Sequence, residues 1–160
     1  MRRILVAVDG TQAAREAART ALEYAGGLCS QVTFVHVLPA RVAEETGDAP
    51  DFAAFERACE QYAEKLLKEA CASTGGRSQN ATTLIAHGEP AAVLSALAEE
   101  DDVDLVIVGA RARGSLARTL LGSVSGALMC RCPKPVLVVP ERETFVGVQS
   151  EAGRRGRNLC

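Results

Sequence analysis

Residues 104–140 read DLVIVGARARGSLARTLLGSVSGALMCRCPKPVLVVP, and the order of patterns inside this stretch decides the fold. Leu105, Val106, Ile107 and Val108 form a wholly apolar run, which reads as a strand covered on both faces. Residues 109–122 carry glycines and arginines and read as a connection, with one short helix expected around residues 116–121. Residues 123–131 read as a helix, and residues 136–139 as another short apolar strand. A buried strand, a crossover with a helix and a second buried strand make a parallel β-α-β unit.

The same alternation extends toward the N-terminus. Residues 3–8 are an aliphatic run ended by Asp9-Gly10, a strand followed by a turn. Ala14, Ala17, Ala18, Ala21, Leu22 and Ala25 then repeat at helical spacing, with Thr11 as N-cap and Gly26-Gly27 as the expected stop. Residues 31–38 (QVTFVHVL) are β-branched and aromatic, a second strand closed by Pro39. Residues 39–50 lack periodicity and read as a loop. In the next helix Phe52, Phe55, Cys59, Tyr62, Leu66 and Ala70 recur every three or four residues, the expected inward stripe. Residues 81–87 form a third strand, and Pro90 opens a helix with Val93, Leu94 and Leu97 turned inward.

These patterns predict a single Rossmann-like α/β domain over residues 1–140. Its sheet would be parallel and five-stranded, ordered 3-2-1-4-5, with helices on both faces. Residues 141–160 carry Arg154, Arg155 and Arg157 without apolar periodicity and read as a flexible basic tail.

Composition narrows the function classes. Of 160 residues, 48% are hydrophobic and only 4% aromatic, so aliphatic and alanine packing must build the core. The formal charge of −2 argues against nucleic acid or an anionic membrane as partner. No apolar run approaches the roughly 18 residues of a membrane span. The stretch after Met1-Arg2-Arg3 is too short for the apolar part of a signal peptide, so the expected location is cytoplasmic. The six cysteines form no CxxC pair and read as small buried hydrophobes in a reducing compartment. His36 reads as a hydrogen-bonded core residue, His87 as a surface residue, and the acidic run at residues 99–104 as a solvated helix end.

In such a sheet, ligands bind beyond the carboxyl ends of the strands, where the strand order reverses. Asp9 and the Gly109 segment stand at those ends. Gly122-Ser123-Val124-Ser125 opens a helix whose free N–H groups favour an anion, with Ser123 and Ser125 adding hydroxyls. Arg111, Arg113 and Arg118 offer charge-assisted hydrogen bonds to phosphate. Asp9 suits a ribose hydroxyl or a metal ion. Each feature also has a plainer reading, since Asp9-Gly10 is an ordinary turn and Gly-Ser an ordinary helix start.

Over residues 3–140 the sequence resembles the universal stress protein family. The matching pieces are ILVAVDGT, VTFVHVL, HGEPA and the stretch 104–140 quoted above. The resemblance implies a homodimer joined through the last strand, residues 136–140, and a role in stress survival with a protein partner still to be identified. It also implies an ATP-binding regulatory module, with or without Mg2+. Ala7, Asp9 and Val37 match positions that contact adenosine. Val108, Gly109, Arg111, Ala112, Gly122, Ser123, Val124 and Ser125 belong to the phosphate-side segment. The ATP-binding pattern places glycines where Gly109 and Gly122 stand, and a middle glycine where this chain has Ala112. A Cβ at that position occupies space where phosphate approaches backbone. A dimeric stress or interaction protein that binds no nucleotide is therefore the alternative. A slow ATPase is a third, weaker reading, because no nucleophile–base pair or metal carboxylate pair is evident.

Overall fold

The computed structural model describes residues 2–28, 30–40, 50–72, 81–110 and 122–141. The chain runs β1 (Arg3–Ala7), α1 (Gln12–Leu28), β2 (Gln31–Leu38), α2 (Pro50–Ala72), β3 (Ala81–His87), α3 (Pro90–Ala98), β4 (Val103–Ala110), α4 (Ser123–Arg131) and β5 (Val136–Pro140). The five strands form one sheet in the order β3-β2-β1-β4-β5, and every neighbouring pair is parallel. The expected doubly wound topology is the one observed.

Period-two alternation splits the strand side chains between two apolar layers. Ile4, Val6, Phe34 and Ile107 face α1 and α2, where they meet Ala17, Ala18, Ala21, Ala25 and Leu67. Leu5, Val35, Val106 and Val108 face α3 and α4, where they meet Ala91, Leu94, Ala98 and Leu128. The alanine stripe of α1 brings that helix close to the sheet, which suits a core with so few aromatic rings. Two salt-bridged arginine contacts, Arg19 with Glu16 and Glu23, lie on the outer side of α1.

Several expectations need correction. Helix α1 continues through Gly26 and Gly27 to Leu28, and neither glycine adopts the left-handed conformation of a glycine C-cap. Leu66 and Ala70 of the expected α2 stripe pack against the core, but the centre of the inward face is rotated from that stripe. Ala63 and Leu67 are buried, whereas Phe55 and Tyr62 are 65% and 55% exposed. Small Ala63 lets α2 approach the sheet, and the large rings at 55 and 62 fall one position to the side. In α3, Ala91, Leu94 and Ala98 are the buried set, with Val93 and Leu97 half-buried.

The cysteines are less buried than expected. Cys59, Cys71 and Cys132 are half-buried and Cys130 is exposed, because α4 turns Ser125 and Leu128 inward instead. All four are free thiols, and burial pushes the Cys71 thiol pKa up. Cys29 and Cys160 lie outside the described residues. Nor is the acidic run simply solvated. The Arg3 guanidinium bonds Glu100 and lies 2.9 Å from Asp102. The Arg2 main-chain N–H donates to the Asp104 carboxylate, and the Arg2 side chain reaches the Asp101 carbonyl. This ties the start of β1 to the start of β4. The expected short helix at 116–121 and the tail from residue 142 lie outside the described residues.

Candidate functional site

The strand order reverses between β1 and β4, because the chain winds outward to β3 and then returns to the other side of β1. Helices must leave in opposite directions at such a point, and a crevice opens between them at the strand ends. Here the crevice has a volume of about 220 Å3. Ala7 and Asp9 at the end of β1, Val37 in β2, Val108 and Gly109 in β4, and Val124 in α4 all line it. Four separate stretches of the expected site thus meet in one place.

Asp9 sits in a local turn. Its Oδ1 accepts from the Thr11 main-chain N–H at 3.0 Å and from the Thr11 hydroxyl at 2.6 Å. The Thr11 hydroxyl in turn accepts from the Ala14 N–H at 3.2 Å, so Thr11 caps α1 as expected. Gly10 between them has φ +79, a conformation that L side chains rarely adopt. The turn therefore aims an exposed carboxylate over the strand ends.

Gly109 has a packing reason to be glycine, beside the phosphate-side role that the resemblance implies. A Cβ built there would stand 2.4 Å from the Ala13 carbonyl carbon and 2.6 Å from the Ala14 nitrogen. The N-terminal turn of α1 rests directly on β4 at this point. Removing the side chain lets helix and strand touch, and that contact shapes one wall of the crevice.

Gly122 is the N-cap of α4 and brings no side chain to satisfy the first N–H groups of that helix. Ser123 is exposed on its first turn. Ser125 is 2% exposed, and its hydroxyl donates to the Gly122 carbonyl at 3.1 Å. Its hydroxyl is thus used within the helix start, which leaves main-chain N–H groups and Ser123 as the donors facing outward. Arg111 and Ala112, with Arg113 and Arg118, lie outside the described residues.

Sequence reading missed other walls of the crevice: Val8, Ala14, Val35, His36, Pro90 and Leu94. Proline at the start of α3 is visible in HGEPA, but its position across from β1 is not. Glu89 caps that helix, its carboxylate accepting from the Ala91 and Ala92 N–H groups at 3.1 and 2.7 Å. His36, expected in the core, is half-buried at the crevice, with its Nδ1 2.6 Å from the Val8 carbonyl oxygen. Among the described residues no group of three or more His, Cys, Asp or Glu is placed to hold a metal ion.

A parallel sheet of this order, with a crevice at its point of reversal, defines a doubly wound α/β protein of the kind that holds ligands at strand ends. The chain belongs to the universal stress protein family, whose profile matches residues 1–140. It is 32% identical over 153 residues to a putative universal stress protein of Staphylococcus haemolyticus, covering 92% of this chain and 90% of that one. A universal stress protein of Thermus aquaticus is 33% identical over 136 residues, 85% of this chain and 96% of the relative. Among solved structures, universal stress protein UspA from Lactobacillus plantarum superposes with a TM-score of 0.73 at 22% identity, over 86% of this chain and 97% of that one. A family protein from Arabidopsis thaliana, described with AMP bound, superposes with a TM-score of 0.66 at 17% identity, over 89% of this chain and 93% of that one. Further family structures of the same fold are described in complex with cAMP and with dAMP. At these identities the structural likeness speaks to the fold. No helix among the described residues is long and apolar enough to cross a membrane.

Proposed function

We propose that the chain is an ATP-binding regulatory module of a stress response, a cytoplasmic homodimer that binds the nucleotide and does not turn it over efficiently. The observation that carries this reading is the crevice, where an exposed carboxylate and apolar walls meet Val124 from the first turn of α4, a helix without a side-chain cap. Adenine would lie against Val37 and the apolar wall of Val108 and Val124. The ribose hydroxyls would meet Asp9. Phosphates would run toward Gly109, Gly122 and Ser123, where main-chain N–H groups and the positive end of α4 favour negative charge. Arg111 would supply a charged donor from the intervening segment. The AMP-, cAMP- and dAMP-bound neighbours support an adenine nucleotide as the ligand class.

Dimerisation through β5 has its own physical motive. This strand is apolar, half-buried and at the sheet edge. An uncovered apolar edge invites aggregation, and pairing with a symmetric copy removes that exposure. Ala112 motivates the competing reading of a dimeric family member without a nucleotide.

Calorimetry with ATP, in the presence and absence of Mg2+, tests the function. Ser123→Ala should weaken binding by about 1–3 kcal/mol, the usual loss for a hydrogen bond to a charged group. Ala112→Gly should bind as well as the parent or better. If only Ala112→Gly binds, the chain is one of the family's ligand-free members. If neither binds, the crevice is not a nucleotide site.

A further inference from the structure

The residue before the crevice carboxylate is held by two consecutive residues of β2. The Val8 N–H donates to the Val35 carbonyl at 2.8 Å, extending the parallel ladder one step beyond β1. The Val8 carbonyl then receives the His36 ring, with Nδ1 at 2.6 Å. A carbonyl oxygen can only accept, so the proton sits on Nδ1. Val8 is thus clamped on both sides of its Cα, and the next residue is Asp9.

The ring that makes this clamp is itself positioned. The Tyr62 ring of α2 meets the His36 ring edge-on, with centroids 6.4 Å apart and planes at 77°. Edge-to-face contact at that separation is a favourable aromatic geometry. Tyr62 also stands over the turn, since a Cβ built on Gly10 would lie 2.9 Å from its hydroxyl oxygen and 3.2 Å from Leu66. One side chain of α2 therefore touches both the clamp and the turn that aims Asp9.

We propose that His36 and Tyr62 are positioning residues of the crevice, setting the place of the Asp9 carboxylate through the Val8 carbonyl and so coupling α2 to ligand binding. The coupling to a ligand rests on the nucleotide reading above; the positioning of the turn does not.

The test uses the full chain with two paired sets of variants. His36→Leu removes the donor. His36→Asn keeps an N–H where Nδ1 stood, because an asparagine amide nitrogen reaches about as far. Tyr62→Ala removes the ring, and Tyr62→Phe keeps it. Nitrogen NMR of the imidazole should show the Nδ1–H tautomer in the parent protein. Main-chain amide signals of Gly10 and Thr11 should move in His36→Leu and return in His36→Asn. ATP affinity by calorimetry should fall about 10-fold in His36→Leu and stay within about 3-fold of the parent in His36→Asn, as loss and retention of one hydrogen bond require. Tyr62→Ala should move the same amide signals, and Tyr62→Phe should not. An Nε2–H tautomer, or Gly10 and Thr11 signals unchanged in His36→Leu, would overturn the positioning. So would His36→Asn behaving as His36→Leu while remaining folded. A parent protein that binds no ATP, yet shows the tautomer and the amide shifts, refutes the nucleotide reading and keeps the positioning of the turn.

Discussion

Replacing Gly109 with alanine adds one methyl group where β4 meets the first turn of α1. The new carbon would stand 2.4 Å from the Ala13 carbonyl carbon, and 2.6 Å from both the Ala13 oxygen and the Ala14 nitrogen. All three atoms are backbone, so no flexible side chain can swing aside. Either α1 lifts from the sheet or β4 bends away from it. Overpacking of this kind costs about 1–3 kcal/mol, and the absence of any yielding side chain places Gly109→Ala near the upper end. For a chain of this length about 1 kcal/mol corresponds to about 2–4 °C, so the melting temperature should fall by about 6–12 °C. Gly27→Ala is the matched control. It lies within α1 with nothing inside 4 Å of the added carbon. Alanine there should raise stability by about 0.4–1 kcal/mol. Differential scanning calorimetry of the two variants and the parent separates crowding from any general effect of Gly→Ala. A Gly109→Ala protein melting within about 1 °C of the parent would refute the close approach of α1 to β4. Because Ala14 and Gly109 both line the crevice, the same variant should also lose ligand affinity.

Leu128 is fully buried between α4 and the sheet, so Leu128→Ala should cost about 2–5 kcal/mol, read as a lower urea midpoint with little change in slope. The Asp104 carboxyl is held below its ordinary pKa, first by the Arg2 main-chain N–H and then by the Arg2, N-terminal and Lys134 charges. A depressed folded pKa contributes stability that is present above the unfolded value and is lost as pH falls through the folded one. Asp104→Asn should therefore flatten the acid side of the stability–pH curve below about pH 4, and an unchanged acid limb would remove this group from the account. If the proposed dimer forms through β5, Val138→Asp, which places a charge on that strand, should yield a monomer in analytical ultracentrifugation; a parent protein that sediments as a monomer, or a dimer that survives the substitution, would exclude β5 as the joint.

Much of the architecture is legible in the sequence. Apolar runs such as 105–108 and the boundaries at Asp9-Gly10, Pro39 and Pro90 follow from patterns that belong to the chain locally, whereas Gly26-Gly27 did not end α1. The strand order follows too, because a right-handed parallel crossover leaves few topologies open. The candidate residues Asp9, Val37 and Gly109 are legible from their places at strand ends, and Ala7 and Val124 from the resemblance to the family. Residues 111–121, with Arg111 and Ala112, carry the part of that reading that lies outside the described residues.

Tertiary structure alone decided the rest. Which face of α2 turns inward cannot be read from Phe55, Cys59, Tyr62 and Leu66, because a neighbouring stripe through Ala63 and Leu67 has the same period. The winner is the stripe whose small residue admits the closest approach to the sheet. Gly109 appears in sequence as a turn or phosphate glycine, and only the position of α1 reveals the backbone contact that demands it. His36 and Tyr62 lie 26 residues apart by their numbers, and no local pattern links them. Their meeting over the Asp9 turn depends on how α2 crosses β2, a non-local packing result that sequence periodicity does not encode.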